Sequence, residues 1–205
     1  MVIKCGKEKR TCIKRQVPGV CQDKEGLLVA NIFEENSHSN FAWSKLGDIK
    51  AGRPNMGDQV PVLVYRVLEY SMFDVLAHKF GLEQAQEVFR AAGHKAGTEF
   101  AHHVLDLQAD LETFVAQLAE KLLALKMGVV RVEKLDREDG SFVITVGEDL
   151  DCSGLPVTGE VVCNYDEGFL AGVAEAYNNK AFQVREIDCW ASGDRVCRFA
   201  GKPVQ

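Results

Sequence analysis

Three residues near the C-terminus, Glu186, Cys189 and Cys197, have types and spacing suited to a soft metal ion. The segments 181–190 and 195–200 read as two strands joined through Ser192-Gly193-Asp194. If that hairpin turns symmetrically about Gly193, Cys189 lies directly across from Cys197, with Cβ atoms roughly 4.5–5.5 Å apart. Two thiols so placed either share a metal ion or form a disulfide, and a reducing compartment favours the metal. Glu186 shares a strand face with Phe182 and Val184, so it points to the apolar side, where an unpaired carboxylate is costly and calls for a cation. A fourth ligand has to come from another element, either Cys163, just ahead of a helix start, or Cys152. The competing reading makes these cysteines small buried hydrophobes, with Glu186 paired to Arg185, Arg195 or Arg198.

Other chemistry-bearing residues form weaker patterns. The chain has 7 cysteines, an odd number, and a second group, Cys5, Cys12 and Cys21, lacks the close C-x2-C pairs of zinc ribbons and iron–sulfur runs. His94 and His102 fall within 80° of each other on one helix, and His102 or His103 is positioned to anchor a polar group of a ligand. Tyr65, Tyr70, Phe73, Phe100 and Trp190 are the aromatic side chains available to line a cavity. Dinucleotide, P-loop, zinc-protease and nucleophile-elbow signatures are all missing, so the sequence displays no catalytic constellation.

The elements that position these residues divide the chain of 205 residues into helices followed by strands. Residues 1–53 read as an N-terminal extension with a Pro18-Gly19 turn and one short strand, Leu27 to Phe33. Helical periodicity runs from Gln59 to Phe80 and again from Glu83 to Leu107, with Gly81 between them, and Asp110 is placed to cap a third helix. The middle helix carries Gly93, Ala96 and Gly97 on or beside its buried face. Small residues there let another element or a ligand approach the backbone, and a mainly apolar cavity between this helix and the sheet is expected. After Gly128 the period becomes two, with Asp139-Gly140 between strands around Val130–Val132 and Phe142–Val146. Asn164 with Glu167 three residues on resembles a capping box for a last helix to about Asn179. The expected class is α+β, N-terminal helices packed on an antiparallel sheet.

Hydrophobic residues at 46% and charged residues at 26% describe a folded globular chain, excluding disorder and low complexity for most of its length. The net charge of −6 is uneven: residues 1–15 hold six basic residues against one acidic, which leaves an acidic body that disfavours nucleic acid as a partner. No run of apolar residues is long enough for a membrane span, and residues 1–15 lack the apolar stretch of a signal peptide, so a cytoplasmic location is expected.

The stretch Cys163-Asn-Tyr-Asp-Glu-Gly168-Phe169-Leu-Ala-Gly172 and the later Glu186-Ile-Asp-Cys189-Trp-Ala-Ser-Gly193-Asp-Arg-Val-Cys197-Arg-Phe199 resemble the C-terminal core of the 4-vinyl reductase-like domain family, also described as hydrocarbon-binding. That family is similar to the aromatic-effector sensing domains of phenol-responsive bacterial activators, to haem-type nitric oxide sensors and to a Golgi tethering-complex subunit. The resemblance implies a structural Zn2+ bound in the order C-x22-E-x2-C-x7-C by Cys163, Glu186, Cys189 and Cys197. It also implies a domain over residues 54–205 that senses or carries a small hydrophobic or aromatic ligand, and a homodimer formed through the N-terminal helices. The residues taken to line the pocket are His102, His103, Phe100, Gly97, Tyr70, Phe73 and Trp190. Two other functions follow from the same resemblance: a vinyl-reductase-type enzyme of tetrapyrrole metabolism, and a structural adaptor with a permanently bound acyl group.

Overall fold

The computed structural model describes residues 41–204. The expected strand Leu27 to Phe33 and the cysteines Cys5, Cys12 and Cys21 lie outside these residues. The elements are a short α1 (Ile49–Gly52), α2 (Val62–Phe80), α3 (Leu82–Val104), α4 (Leu111–Ala124), β1 (Val129–Leu135), β2 (Phe142–Gly147), α5 (Asn164–Asn178), β3 (Phe182–Asp188) and β4 (Cys197–Pro203). The strands form one antiparallel sheet in the order β1-β2-β4-β3, the α+β arrangement expected from the change of period at Gly128.

Local chemistry sets most of the boundaries. Asp110 caps α4 as expected, its Oδ1 accepting from the Thr113 amide at 3.0 Å. Gly81, at φ 91°, makes the corner between α2 and α3, and Gly140, at φ 80°, turns the β1–β2 hairpin. The start of α5 differs from expectation: Asn164 is already helical and Cys163 is the N-cap. Glu167 does not close a capping box, because its carboxylate is engaged elsewhere. Oε1 accepts from the Glu186 amide at 2.8 Å, while Oε2 accepts from Arg90 Nε at 2.5 Å and Arg185 at 3.1 Å, which ties α3, α5 and β3 together.

The small residues of α3 serve helix packing. A methyl group on Gly97 would stand 2.8 Å from the carbonyl carbon of Phe169, and one on Gly93 would stand 2.9 Å from the Phe169 amide. From the other side, Gly168 abuts the backbone of Arg90 and Gly172 that of His94. The two helices meet backbone to backbone along this seam, so the space expected beside Gly97 is filled by α5. Phe100 lies farther along α3 with its ring centroid 5.4 Å from that of Phe169, inside the core.

In α2 most of the aliphatic side chains face outward. Val62, Leu63, Val64, Val67, Leu68, Met72 and Val75 are exposed, while Tyr65, Arg66, Glu69, Tyr70 and Phe73 are half-buried. The inward face is chosen by polar contacts to the loop after β2. Tyr65 Oη donates to Asp151 Oδ1 at 2.8 Å, Tyr70 Oη donates to the Asp151 carbonyl at 3.0 Å, and Arg66 Nε donates to the Leu150 carbonyl at 2.8 Å. Among the described residues no helix is long and apolar enough to cross a membrane.

Candidate functional site

Four thiols from four separate segments converge under the sheet. Cys163 caps α5, Cys189 follows β3, Cys197 opens β4, and Cys152 sits in the turn after β2. All four are buried. Their Sγ atoms stand 3.1 Å (Cys152 to Cys197), 3.8 Å (Cys163 to Cys197) and 3.9 Å (Cys163 to Cys189) apart, and all lie within 4.8 Å of one another. A zinc ion with Zn–S bonds of about 2.3 Å needs sulfur atoms about 3.8 Å apart at the corners of a tetrahedron. The donor set and the two longer spacings fit such an ion.

Each cysteine is positioned by its own local device. The loop carrying Cys152 is shaped by Asp149, whose Oδ1 accepts from the amides of Asp151 at 2.9 Å and Cys152 at 3.2 Å. Cys189 is fixed by Ser192, whose hydroxyl accepts from the Cys189 amide at 3.0 Å and donates to its carbonyl at 2.8 Å, and Gly193 at φ 109° then reverses the chain. The register expected from symmetry about Gly193 holds for Asp188 and Arg198, the neighbours of Cys189 and Cys197. A bulge at Ile187 shifts the rest of the β3–β4 ladder by one residue.

Glu186 is buried on the face shared with Phe182 and Val184, as its spacing requires. Its Oε2 accepts from the Cys163 amide at 3.0 Å, while its Oε1 is buried with no hydrogen-bond partner. Neither Arg185 nor Arg198 pairs with it: Arg185 goes to Glu167, and Arg198 goes to Glu133 and Asp188. Burial pushes the Glu186 carboxyl up to about 8. Of the four residues named as ligands from the sequence, the structure therefore gathers Cys163, Cys189 and Cys197 sulfur to sulfur. Cys152 completes that group, and Glu186 stands beside it. Sulfur-to-sulfur hydrogen bonds, first of all with Cys152, hold the Cys163 and Cys197 thiols up and push Cys189 down.

A group of carboxylates, none of them among the residues singled out from the sequence, borders the thiols. Asp149 and Asp151 are buried in the loop after β2, Asp166 lies in the first turn of α5, and Glu69 reaches in from α2. Burial, then the neighbouring carboxylates, pushes Asp151 up to about 7 and Glu69 up to about 9, and burial raises Asp149 and Asp166 as well. The signal was available: acidic residues stand one and three positions before Cys152 and three positions after Cys163.

The residues taken as a pocket are dispersed. His102 is exposed, and His103 stacks on Trp43 with ring centroids 5.2 Å apart. The Trp43 amide, in turn, donates to Glu99 at 2.7 Å, so residues assigned to the extension pack on α3. Trp190 Nε1 donates to the Leu155 carbonyl at 3.0 Å. Tyr70 and Phe73 border a cavity of about 70 Å³ between α2, α3 and the segment before α5. A second, more apolar cavity of about 60 Å³ lies between α4, α5 and the sheet, lined by Leu111, Phe114, Val130, Phe142, Leu170 and Tyr177 among others. None of the seven residues named from the sequence lines it. The β1–β2 hairpin and α4 form most of its wall, and that region carried no polar anchor to mark it.

Residues 142–203 match the 4-vinyl reductase domain family, the group that the cysteine spacing resembles. An uncharacterised protein of Methanocaldococcus jannaschii, MJ0150, is 22% identical over 147 residues, which span 72% of this chain and 78% of the relative. The crystal structure of the phenol-responsive sensory domain of the transcription activator PoxR with phenol superposes with a TM-score of 0.57 at 17% identity, covering 72% of this chain and 76% of that one. A vinyl-4-reductase family protein from Methanocaldococcus jannaschii gives 0.55 at 16% identity, covering 82% of this chain and 99% of that one. These likenesses establish the fold shared with the 4-vinyl reductase group.

Proposed function

We propose that the chain is a zinc-containing domain that binds and senses a small hydrophobic or aromatic molecule. The observation that carries the reading is the apolar cavity of about 60 Å³ between α4, α5 and the sheet, in a fold shared with a phenol-responsive sensory domain. Its lining is almost entirely aliphatic and aromatic, with the Asn178 amide as a polar group at the rim. Such a lining selects ligands by shape and hydrophobicity rather than by charge. Zinc, in this reading, is held by Cys152, Cys163, Cys189 and Cys197, with Glu186 orienting the Cys163 backbone. A shell of four thiolates leaves no open position for water, so the metal is structural: it locks the loop after β2, the start of α5 and the β3–β4 turn into one unit behind the cavity. The aliphatic stripe of α2, from Val62 to Val75, is too extensive an apolar surface for an isolated subunit and supports a homodimer formed through α2. A cytoplasmic location, where thiols stay reduced, suits the metal centre.

The reading is tested with the full chain purified without added ligand. Elemental analysis is expected to give one zinc per chain, lost in Cys152→Ser and retained in Glu186→Gln; the reverse pattern would return Glu186 to the ligand set. A panel of small phenols and hydrocarbons is expected to raise Tm, by about 2.7 kcal/mol of stabilisation at a hundred times Kd. Ala174→Leu, which fills the cavity, is expected to abolish that gain while zinc is retained. A panel without any shift, together with a co-purifying tetrapyrrole that turns over or a covalently held acyl chain, would replace sensing with the enzymatic or the adaptor function.

A further inference from the structure

Two buried carboxylate oxygens where α2 meets the loop after β2 have nothing to satisfy them. Glu69 Oε2 and Asp151 Oδ2 are shut off from solvent and lack a hydrogen-bond partner among the described residues. Asp151 is only 3% exposed, and its other oxygen already accepts from Tyr65. The two carboxyl groups are within hydrogen-bonding reach of each other, an arrangement two bare anions do not hold without something positive between them. The charge of the nearby Arg66 favours both anions, but its N–H groups are directed to the carbonyls of Leu150 and Ser153, each at 2.8 Å. Asp149 adds further negative charge on the side toward the thiols. Glu69 also borders the cavity of about 70 Å³, together with Gln86 and Asn164, which is space enough for more than one water.

We propose that Glu69 and Asp151 form a second metal site, distinct from the thiol cluster, that takes a hard divalent cation such as Mn2+ or Mg2+ between their facing oxygens. Carboxylate and water ligands suit Mg2+, Mn2+ and Ca2+, whereas thiolates select zinc, so the two sites load independently. Two carboxylates with the remaining positions held by water is the usual environment of Mg2+, and the adjoining cavity provides the water. Glu69 belongs to α2 and Asp151 to the loop that bears Cys152, so the ion fastens the outer helix to the metal-bearing loop.

The experiment uses the full, zinc-loaded chain titrated with MnCl2 near neutral pH, with bound Mn2+ read by electron paramagnetic resonance and zinc by elemental analysis. One Mn2+ per chain, displaced by excess Mg2+ with zinc unchanged, is the expected result. Glu69→Gln is expected to weaken Mn2+ binding about tenfold or more, equivalent to about 1.4 kcal/mol. Glu160→Gln, on the rim of the same cavity, is expected to leave it unchanged. Should Glu69→Gln fail to fold, Asp151→Asn and the titration of the unaltered chain decide the matter. No Mn2+ uptake at millimolar concentration would overturn the site, as would uptake that Glu69→Gln leaves intact. A rise in Tm of Glu69→Gln without any metal binding would assign the pair to a shared proton instead.

Discussion

Replacing Gly97 by alanine tests how α3 and α5 are joined. The added methyl would lie 2.8 Å from the carbonyl carbon of Phe169 and 3.0 Å from its Cα, and nearer still to its oxygen. Carbon atoms pack at about 3.5–4.0 Å, so α5 has to retreat by about 1 Å, and because the obstacle is backbone no rotamer change relieves it. Overpacking of a tight core costs typically 1–3 kcal/mol, and a backbone clash belongs at the upper end. Alanine's better helix propensity offsets about 1 kcal/mol, leaving a net loss of about 2 kcal/mol. For a chain of this size that is a fall in Tm of roughly 4–8 °C. Gly52→Ala, in α1 with nothing within 4 Å of the added methyl, is the control and should leave Tm unchanged or slightly higher. Thermal unfolding by circular dichroism, with urea melts to confirm an unchanged m-value, measures both. A Gly97→Ala variant as stable as the Gly52→Ala control would refute backbone contact along the seam and restore a space beside α3 that a ligand can occupy.

Three further outcomes are expected. Removal of zinc by a chelator should lower Tm on the order of 10 °C or more, because the binding energy of a structural metal is part of the folding energy; an unchanged Tm after confirmed metal loss would contradict a structural role. Glu167→Ala should destabilise by about 3 kcal/mol in urea melts, since it leaves Arg90 and the Glu186 amide without their buried partner, and a loss below about 1 kcal/mol would show the network to be peripheral. With loosely held divalent ions removed, Glu69 titrates at about 9 in the folded chain against an ordinary 4.5 when unfolded. The folded state then binds the extra proton between those values, so the contribution of Glu69 is full below pH 4.5 and is lost as pH rises toward 9. Glu69→Gln should flatten that decline, and identical pH–stability slopes for the two proteins would count against it.

Much of this architecture is legible in the sequence because it rests on short-range rules. Asp110 caps its helix, Asp139-Gly140 turns its hairpin, and the alternation of Phe182, Val184 and Glu186 puts all three on the buried side. The cysteine spacing marks three of the clustered thiols. What stays hidden depends on which surfaces meet. The outward aliphatic face of α2 is decided by Tyr65, Arg66 and Tyr70 finding partners in a loop more than 80 residues away. Gly93 and Gly97 look alike whether a ligand or a helix fills the space beside them, and only the matching glycines at 168 and 172 settle which. Cys152 reaches the other thiols through the turn built by Asp149, and spacing along the chain does not encode that turn.

The strand order has a consequence for how the chain is made. β4 runs between β2 and β3, although it is the last of the strands in sequence. As the chain leaves the ribosome, β2 and β3 therefore wait with their inner edges unpaired until residues 197–203 arrive, and open strand edges are templates for association with other chains. The arriving strand brings Cys197 with it, so closure of the sheet and completion of the thiol cluster fall in the same late step. A break between β3 and residue 197 removes both at once, leaving helices attached to two separated strand edges. With the proposed zinc at this cluster, its supply at that moment would bear on how much of the newly made chain reaches the native state.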